Sequence, residues 1–367
     1  MEWSEAVTCP ESRERLLAAA RSEPTAVAAS NEAKGERLLL LARAFRHPRD
    51  EHISFHEPSH SYFLKGKRVP LSVSGFYKPF FSEFDAPAVI QKNIGAWRRN
   101  ERSKYHPFLS ALRSAGVPEE RDSEIIQKLW NLNGEGQSAL GTGLHRAIEL
   151  HINEEPCPVP CRDDVPLGFQ TSASAADAPL VPHLAGTFNL VPRALEWALA
   201  YLRDPDACGP EPDLAVPPSA ESTEFGYYLA WKASRPELVP VRQEMNVWSE
   251  PHQLAGQLDA LYWDSAEKCY ILSDWKRTRQ METEKTHFTK YGEYPFDEVM
   301  DTNAGCVLVT CFIVFFYIRC LLCVPASQSL LRSTKCLQCA SAHELRSRRK
   351  AHVSRAAAPE PPWICRA

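Results

Sequence analysis

The 367-residue chain has 44% hydrophobic residues, enough to bury the core of one large domain or of two ordinary ones. Its formal net charge of -4 excludes a protein that binds nucleic acid through overall positive charge, so such binding would need a local basic groove. The cysteines before residue 300 form no secreted-type disulfide framework and no N-terminal signal peptide is recognisable. We therefore expect an intracellular, reducing compartment and assign no organelle.

Residues 1–50 predict a helical accessory region, because leucines recur there among charged residues. From residue 53 the pattern changes to short runs typical of strands, with Lys65-Gly66-Lys67 as the turn of a hairpin. This hairpin opens the main predicted domain, residues 51–303. Helices are expected at residues 86–97 and 123–132.

Residues 154–188 are rich in Pro, Ala, Ser and Asp and have no apolar period, which predicts a disordered insertion. Helices are expected at residues 190–202 and 224–233. Three strand-like runs follow, separated by short polar connections, and they predict an antiparallel meander. The runs are residues 241–248, 254–263 and 269–275.

Acidic and basic side chains fall on the last two of these runs. Because side chains alternate along a strand, Asp274 and Lys276 should project from one face, about 7 Å apart. Asp259 lies on the preceding strand, and a suitable register would bring it to the same sheet edge. Two carboxylates can hold a hard cation such as Mg²⁺, which activates water and offsets charge on a phosphate. Lys276 would orient that water or help to deprotonate it. Taken singly, these residues are more often solvated turn residues.

Further candidates lie upstream. Leu140-Gly141-Thr142-Gly143-Leu144-His145 predicts the start of a helix whose glycines allow close approach to the sheet or to a phosphate. His145 and Glu149 are four residues apart and share a helix face, so both could approach one metal ion. An ordinary surface helix is the competing interpretation. Glu244 is another acidic candidate, with pairing to an arginine as an equal alternative.

The order of these motifs resembles the RecB-like exonuclease branch of the PD-(D/E)XK nuclease superfamily, including its viral and protist members. The resemblance spans residues 52–303 and rests on the run ending at His145, on Gln243-Glu244, on Gly256-Gln257-Leu258-Asp259 and on Ser273-Asp274-Trp275-Lys276-Arg277. It implies an α/β, restriction-endonuclease-like fold, in which helices flank a mixed central sheet and an antiparallel meander carries the active site.

The resemblance also implies residue roles. The metal ligands would be His145, Asp259, Asp274 and the main-chain carbonyl of Trp275, and Lys276 would be the catalytic lysine. Glu149, as a ligand, and Glu244, as a catalytic acid, transfer less securely.

The implied activity is that of a Mg²⁺- or Mn²⁺-dependent DNA exonuclease of repair, recombination or replication. It would act on single-stranded DNA or duplex ends, without a small-molecule cofactor. Members of the branch follow the lysine with a helix that bears Gln and Tyr four residues apart, and no such pair follows Lys276. The alternative is therefore a nuclease-derived DNA-binding or interaction module without activity.

Residues 304–367 differ from the rest, with nine Lys or Arg and two Asp or Glu. The apolar run 307–324 is about long enough for a membrane anchor, which would give a membrane-anchored nuclease. Cys320-x-x-Cys323 and Cys336-x-x-Cys339 have the local spacing of a zinc or iron–sulfur site. We favour a third interpretation, a tail translated from a retained intron or a wrong gene end and lying outside the nuclease fold.

Overall fold

The structure is a computed structural model that describes residues 8–22, 39–81, 83–157, 178–277 and 293, together with the main chain of 335–339. Its helices are α1 (Pro10–Arg21), α2 (Leu40–Ala44), α3 (Val73–Tyr77), α4 (Ala86–Arg99), α5 (His106–Ser114), α6 (Asp122–Ile152), α7 (Val181–Gly186), α8 (Pro192–Arg203) and α9 (Thr223–Ala233). Its strands are β1 (Ile53–His56), β2 (Ser61–Leu64), β3 (Lys67–Arg68), β4 (Leu71–Ser72), β5 (Leu238–Ser249), β6 (Leu254–Asp264), β7 (Cys269–Arg277) and β8 (Lys335–Cys339).

The chain is a mixed α/β protein with two compact units. One unit contains α1–α3, the C-terminal end of α6, α9 and the strands. The other is helical and contains α4, α5, most of α6, α7 and α8. The helices predicted at residues 86–97, 190–202 and 224–233 are confirmed as α4, α8 and α9.

The first sheet of the strand-bearing unit is the antiparallel array β1–β2–β3. Two residues, Lys65 and Gly66, connect β2 to β3, with φ angles of 49° and 77°. Positive φ at both central residues is typical of the type I′ turn, whose twist suits a hairpin. The predicted hairpin is therefore confirmed.

The second sheet contains the predicted meander. β6 pairs antiparallel with β5 along most of its length and with β7 over its last five residues. β4 runs parallel to the first two residues of β6, and the main chain of β8 runs parallel to β7. The sheet is therefore mixed, and its central strand carries Asp259.

The helical unit is built around apolar side chains that repeat every three or four residues along its helices. Ile125, Leu129 and Leu132 of α6 are fully buried together with Phe108 and Leu112 of α5. The C-terminal end of α6, which belongs to the strand-bearing unit, also has fully buried side chains at Ala147 and Ile148.

The predicted helix start at Leu140 is wrong, since α6 is one continuous helix of 31 residues. A glycine inside a helix costs about 1 kcal/mol relative to alanine, which burial of the flanking apolar residues outweighs. Gly143 instead serves packing within the helical unit, because a Cβ atom there would lie 3.1 Å from the carbonyl oxygen of Val216. No helix start is therefore available at Gly141 for binding a phosphate.

The predicted disordered insertion, residues 154–188, is too long at its C-terminal end. Its last part contains α7, and Leu184 on that helix is fully buried. Residues 158–177 lie outside the described residues, as do the apolar run 307–324 and the pair Cys320 and Cys323. No helix in the described ranges is long and apolar enough to cross a membrane.

We expect Gly256→Ala to lower the free energy of unfolding by about 1–3 kcal/mol, the usual cost of overpacking. The new Cβ atom would lie 2.6 Å from Cγ2 of Val73, whose helix packs on β6. Urea denaturation followed by circular dichroism measures the change, and adding Val73→Ala should restore part of it. Gly226→Ala is the matched control, because nothing lies within 4 Å of a Cβ atom there. Equal stability of Gly256→Ala and wild type would contradict the close packing.

Candidate metal centre

Three carboxylates lie in one row across the meander, and we call Glu244, Asp259 and Asp274 the acid row. Glu244 lies between two residues of β5 that pair with Ala260 and Leu258, so it faces Asp259. Ala260 also pairs with Ser273 on β7, which places Asp274 next to Asp259 on the other side. The register therefore brings together the two aspartates that the sequence placed on neighbouring strands.

The ladder between β6 and β7 opens at the acid row. The last main-chain pair joins Ala260 to Ser273, and the next amide, the N–H of Trp275, donates to the carboxylate of Asp259 at 2.6 Å. Asp259 and Asp274 lie close enough for the charge of Asp259 to raise the pKa of Asp274. Two acidic side chains therefore occupy the place where the ladder opens.

Lys276 supplies positive charge at the row. Its Nζ atom lies 3.1 and 2.9 Å from the two carboxylate oxygens of Asp274. The predicted common face of Asp274 and Lys276 is thus confirmed. The lysine side chain is 42% exposed whereas that of Asp274 is only 11% exposed, so the ammonium lies between the buried acid and solvent.

Glu244 has an unusual backbone conformation for the interior of a strand. Its φ angle is 44°, in the left-handed region, where a residue other than glycine is strained by about 1–3 kcal/mol. Gln257 of β6 donates a hydrogen bond of 3.2 Å to the main-chain carbonyl of Glu244. Such strain persists only where surrounding contacts fix it, and it concentrates at functional sites.

Burial and mutual repulsion weaken the acidity of the row. Burial, and then the charge of Asp259, raise the pKa of Asp274 to about 7, although Lys276 partly offsets the shift. The pKa of Glu244 is raised well above its usual value, first by burial and then by Asp259, Glu149 and Asp274. Like charges in a partly dehydrated place favour the protonated forms. The surroundings therefore do not stabilise the full negative charge that three ionised carboxylates would carry.

Helix α6 brings one more of the predicted residues to the row. The charge of Glu149 contributes to the raised pKa of Glu244. His145 lies one turn earlier on α6, in the part of that helix that belongs to the helical unit. Carboxylate oxygens are suitable ligands for a divalent cation such as Mn²⁺.

The remaining residues of the Asp274–Arg277 run anchor β7 on its other side. The ring of Trp275 packs edge-on against Tyr228 and Trp231 of α9, at centroid distances of 5.5 and 5.1 Å. The guanidinium of Arg277 donates from Nε and Nη2 to one oxygen of Glu224, at 3.1 and 2.9 Å. Alternation along β7 therefore separates the acid and the lysine from the residues that fix the strand.

Tyr62 is a neighbour of the row that the sequence did not indicate. Burial, and then the charge of Glu244, raise the pKa of Tyr62 to about 12. Its ring lies 4.7 Å from that of Phe55 on the adjacent strand. The alternating pattern of β2 predicted a strand, but no local signal links position 62 to position 244.

No protein-family model, curated protein or solved structure matches this chain. The function of the acid row is therefore inferred from its geometry and charge.

In metal-free protein we expect the free energy of unfolding to fall as pH rises from about 4 to about 7. The folded chain keeps a proton on Asp274 up to its pKa of about 7, whereas the unfolded chain loses it near 3.8. Over this window the folded state binds more protons, so raising pH favours unfolding. Asp274→Asn removes this term and should be more stable than wild type above pH of about 7.

Urea denaturation in EDTA at pH of about 5 and about 8 measures this difference. Glu57→Gln, at an exposed position, is the control and should keep the pH dependence of wild type. If Asp274→Asn and wild type lose the same stability between the two pH values, the buried proton does not exist.

Proposed function

We propose that this chain is a Mg²⁺- or Mn²⁺-dependent DNA exonuclease of the RecB-like PD-(D/E)XK type. One observation carries the proposal: Glu244, Asp259 and Asp274 converge across three strands, with the Lys276 ammonium 2.9 Å from Asp274. The mixed sheet with its antiparallel meander is compatible with a restriction-endonuclease-like fold. Repair, recombination or replication of DNA is the setting that the resemblance implies.

The donor set fits a hard divalent cation. Carboxylate oxygens suit Mg²⁺ and Mn²⁺, and a histidine nitrogen is compatible with Mn²⁺. Asp259 and Asp274 would be the principal ligands, with His145, Glu149 and the Trp275 carbonyl completing the set. The raised pKa values of Glu244 and Asp274 support this assignment, because a cation would supply the positive charge that the row lacks.

The side chains have separate tasks in hydrolysis. When bound, the cation acts as a Lewis acid that activates water and stabilises the charge developing on the phosphate. Lys276, which contacts Asp274 and is partly exposed, can donate to a phosphate oxygen or orient the attacking water. The hydrogen bond from the Trp275 amide holds Asp259 in place, so that its carboxylate does not need to reorganise when substrate binds.

Asp274→Ala and Lys276→Ala should each lower the rate of DNA hydrolysis by at least about 100-fold. The first change removes a proposed ligand and the second removes the ammonium that contacts Asp274. The assay follows end-labelled single-stranded and duplex DNA with Mg²⁺ or Mn²⁺, and Lys67→Ala, at an exposed hairpin position, serves as the control. Equal digestion by wild type and both variants would reject the site. DNA binding by wild type without cleavage would indicate the alternative, an inactive DNA-binding module.

Metal binding should also be visible without substrate. A hundredfold excess of Mn²⁺ over its Kd should stabilise wild type by about 2.7 kcal/mol and raise its Tm. Asp274→Ala should show little of this shift, because it lacks one of the two principal proposed ligands. Mg²⁺, Mn²⁺ and Na⁺ at matched ionic strength are compared by calorimetry. A shift that Na⁺ reproduces would show general screening of charge and no specific site.

A further inference from the structure

A buried hydrogen-bond network lies beside the acid row and joins two of the elements that carry acidic residues. Asn153, directly after α6, donates from Nδ2 to the side-chain oxygen of Gln243 at 2.8 Å. The same nitrogen donates to the carbonyl of Glu149 at 2.9 Å. Asn153 is 3% exposed and Gln243 is 8% exposed, so water does not replace these bonds readily.

The third bond of Asn153 reaches the N-terminal part of the chain. The main-chain N–H of Leu41 donates to Oδ1 of Asn153 at 2.9 Å. A single buried carboxamide therefore bonds three segments that are far apart in sequence. Removing it would leave several buried polar groups without partners at once.

A second set of bonds ties the same N-terminal segment to β5. Arg242, which precedes Gln243, donates from Nη1 to the carbonyl of Phe45 at 2.9 Å and to the carboxylate of Asp50 at 2.7 Å. Arg49 donates to the carbonyl of Trp248 at 2.8 Å and lies over its ring. Residues 39–50 therefore hold β5 on both sides of Glu244.

We propose that Asn153 is a positioning residue of the acid row, with Gln243 as its partner and residues 39–50 as part of the same scaffold. Asn153 fixes the carbonyl of Glu149, and Gln243 directly precedes the left-handed Glu244. The network thereby sets the spacing between the acidic residue on α6 and the one on β5. Outer hydrogen bonds of this kind orient ligand side chains and tune metal affinity. The metal-binding part of the inference rests on the proposed function.

Asn153→Ala and Gln243→Ala should weaken Mn²⁺ binding by about 10- to 100-fold, measured by titration calorimetry on the full chain. Gln243→Ala removes one bond and leaves Leu41 its partner, so it also tests the network if Asn153→Ala does not fold. Ser222→Ala is the matched control, because it removes the N-terminal cap of α9, a bond from the N–H of Phe225. That variant should lose stability but keep the Mn²⁺ affinity of wild type.

A metal-independent measurement separates this inference from the proposed function. In metal-free protein labelled at glutamate, the Cα and Cβ chemical shifts of Glu244 report its left-handed φ angle. We expect these shifts to move toward extended values in Gln243→Ala and Asn153→Ala but not in Ser222→Ala. If wild type binds no Mn²⁺, the nuclease proposal fails and the shifts alone decide the positioning role. Unchanged Glu244 shifts in the network variants would overturn that role, whatever the Mn²⁺ result.

Discussion

Repulsion within the acid row is the constraint on which the rest of the site depends. Burying a carboxylate is costly, and here Glu244, Asp259 and Asp274 lie side by side, with the Lys276 ammonium on Asp274. Such an arrangement lowers the stability of the metal-free chain. It persists because contacts elsewhere hold the three strands together, and because protons can occupy the row when no cation does. Under the proposed function, a bound cation would supply the positive charge that offsets this repulsion.

Those contacts lie on the face of β7 opposite the acid row and on the neighbouring part of β6. Trp275 is buried against the aromatic rings of α9, and Arg277 pairs with Glu224 on the same helix. Burying a large aromatic side chain contributes about 1.5–3 kcal/mol, comparable to the cost of one strained residue such as Glu244. On the central strand, Gly256 lets Val73 pack closely while Gln257 holds the carbonyl of Glu244. The run from Asp274 to Arg277 therefore contributes residues that fix β7 as well as residues of the acid row.

The sequence predicted the features that follow from short-range periodicity. Alternation along β7 placed Asp274 and Lys276 on one face, and the short connection between β6 and β7 placed Asp259 beside them. Contacts between distant segments were not predictable in this way. The hydrogen bond between Asn153 and Gln243 joins residues that are 90 positions apart in the sequence, and no local pattern predicts it. The left-handed conformation of Glu244 breaks the alternation on which strand predictions rest.

The two wrong predictions have the same origin. Both relied on local composition at places where tertiary packing determines the structure. Glycines near residue 141 suggested a helix start, yet buried side chains on both sides keep α6 continuous. The polar, proline-rich composition of residues 154–188 predicted no buried residue, whereas Leu184 is fully buried. These errors bear on the proposed substrate more than on the proposed cation. The acidic residues and Lys276 all lie between positions 149 and 276, before the composition changes at residue 304. The proposed cation binding would need only the meander and α6, whereas a grip on DNA would draw on further surfaces. Under the proposed function, metal affinity and nuclease activity would therefore be separable, and loss of the second would not imply loss of the first.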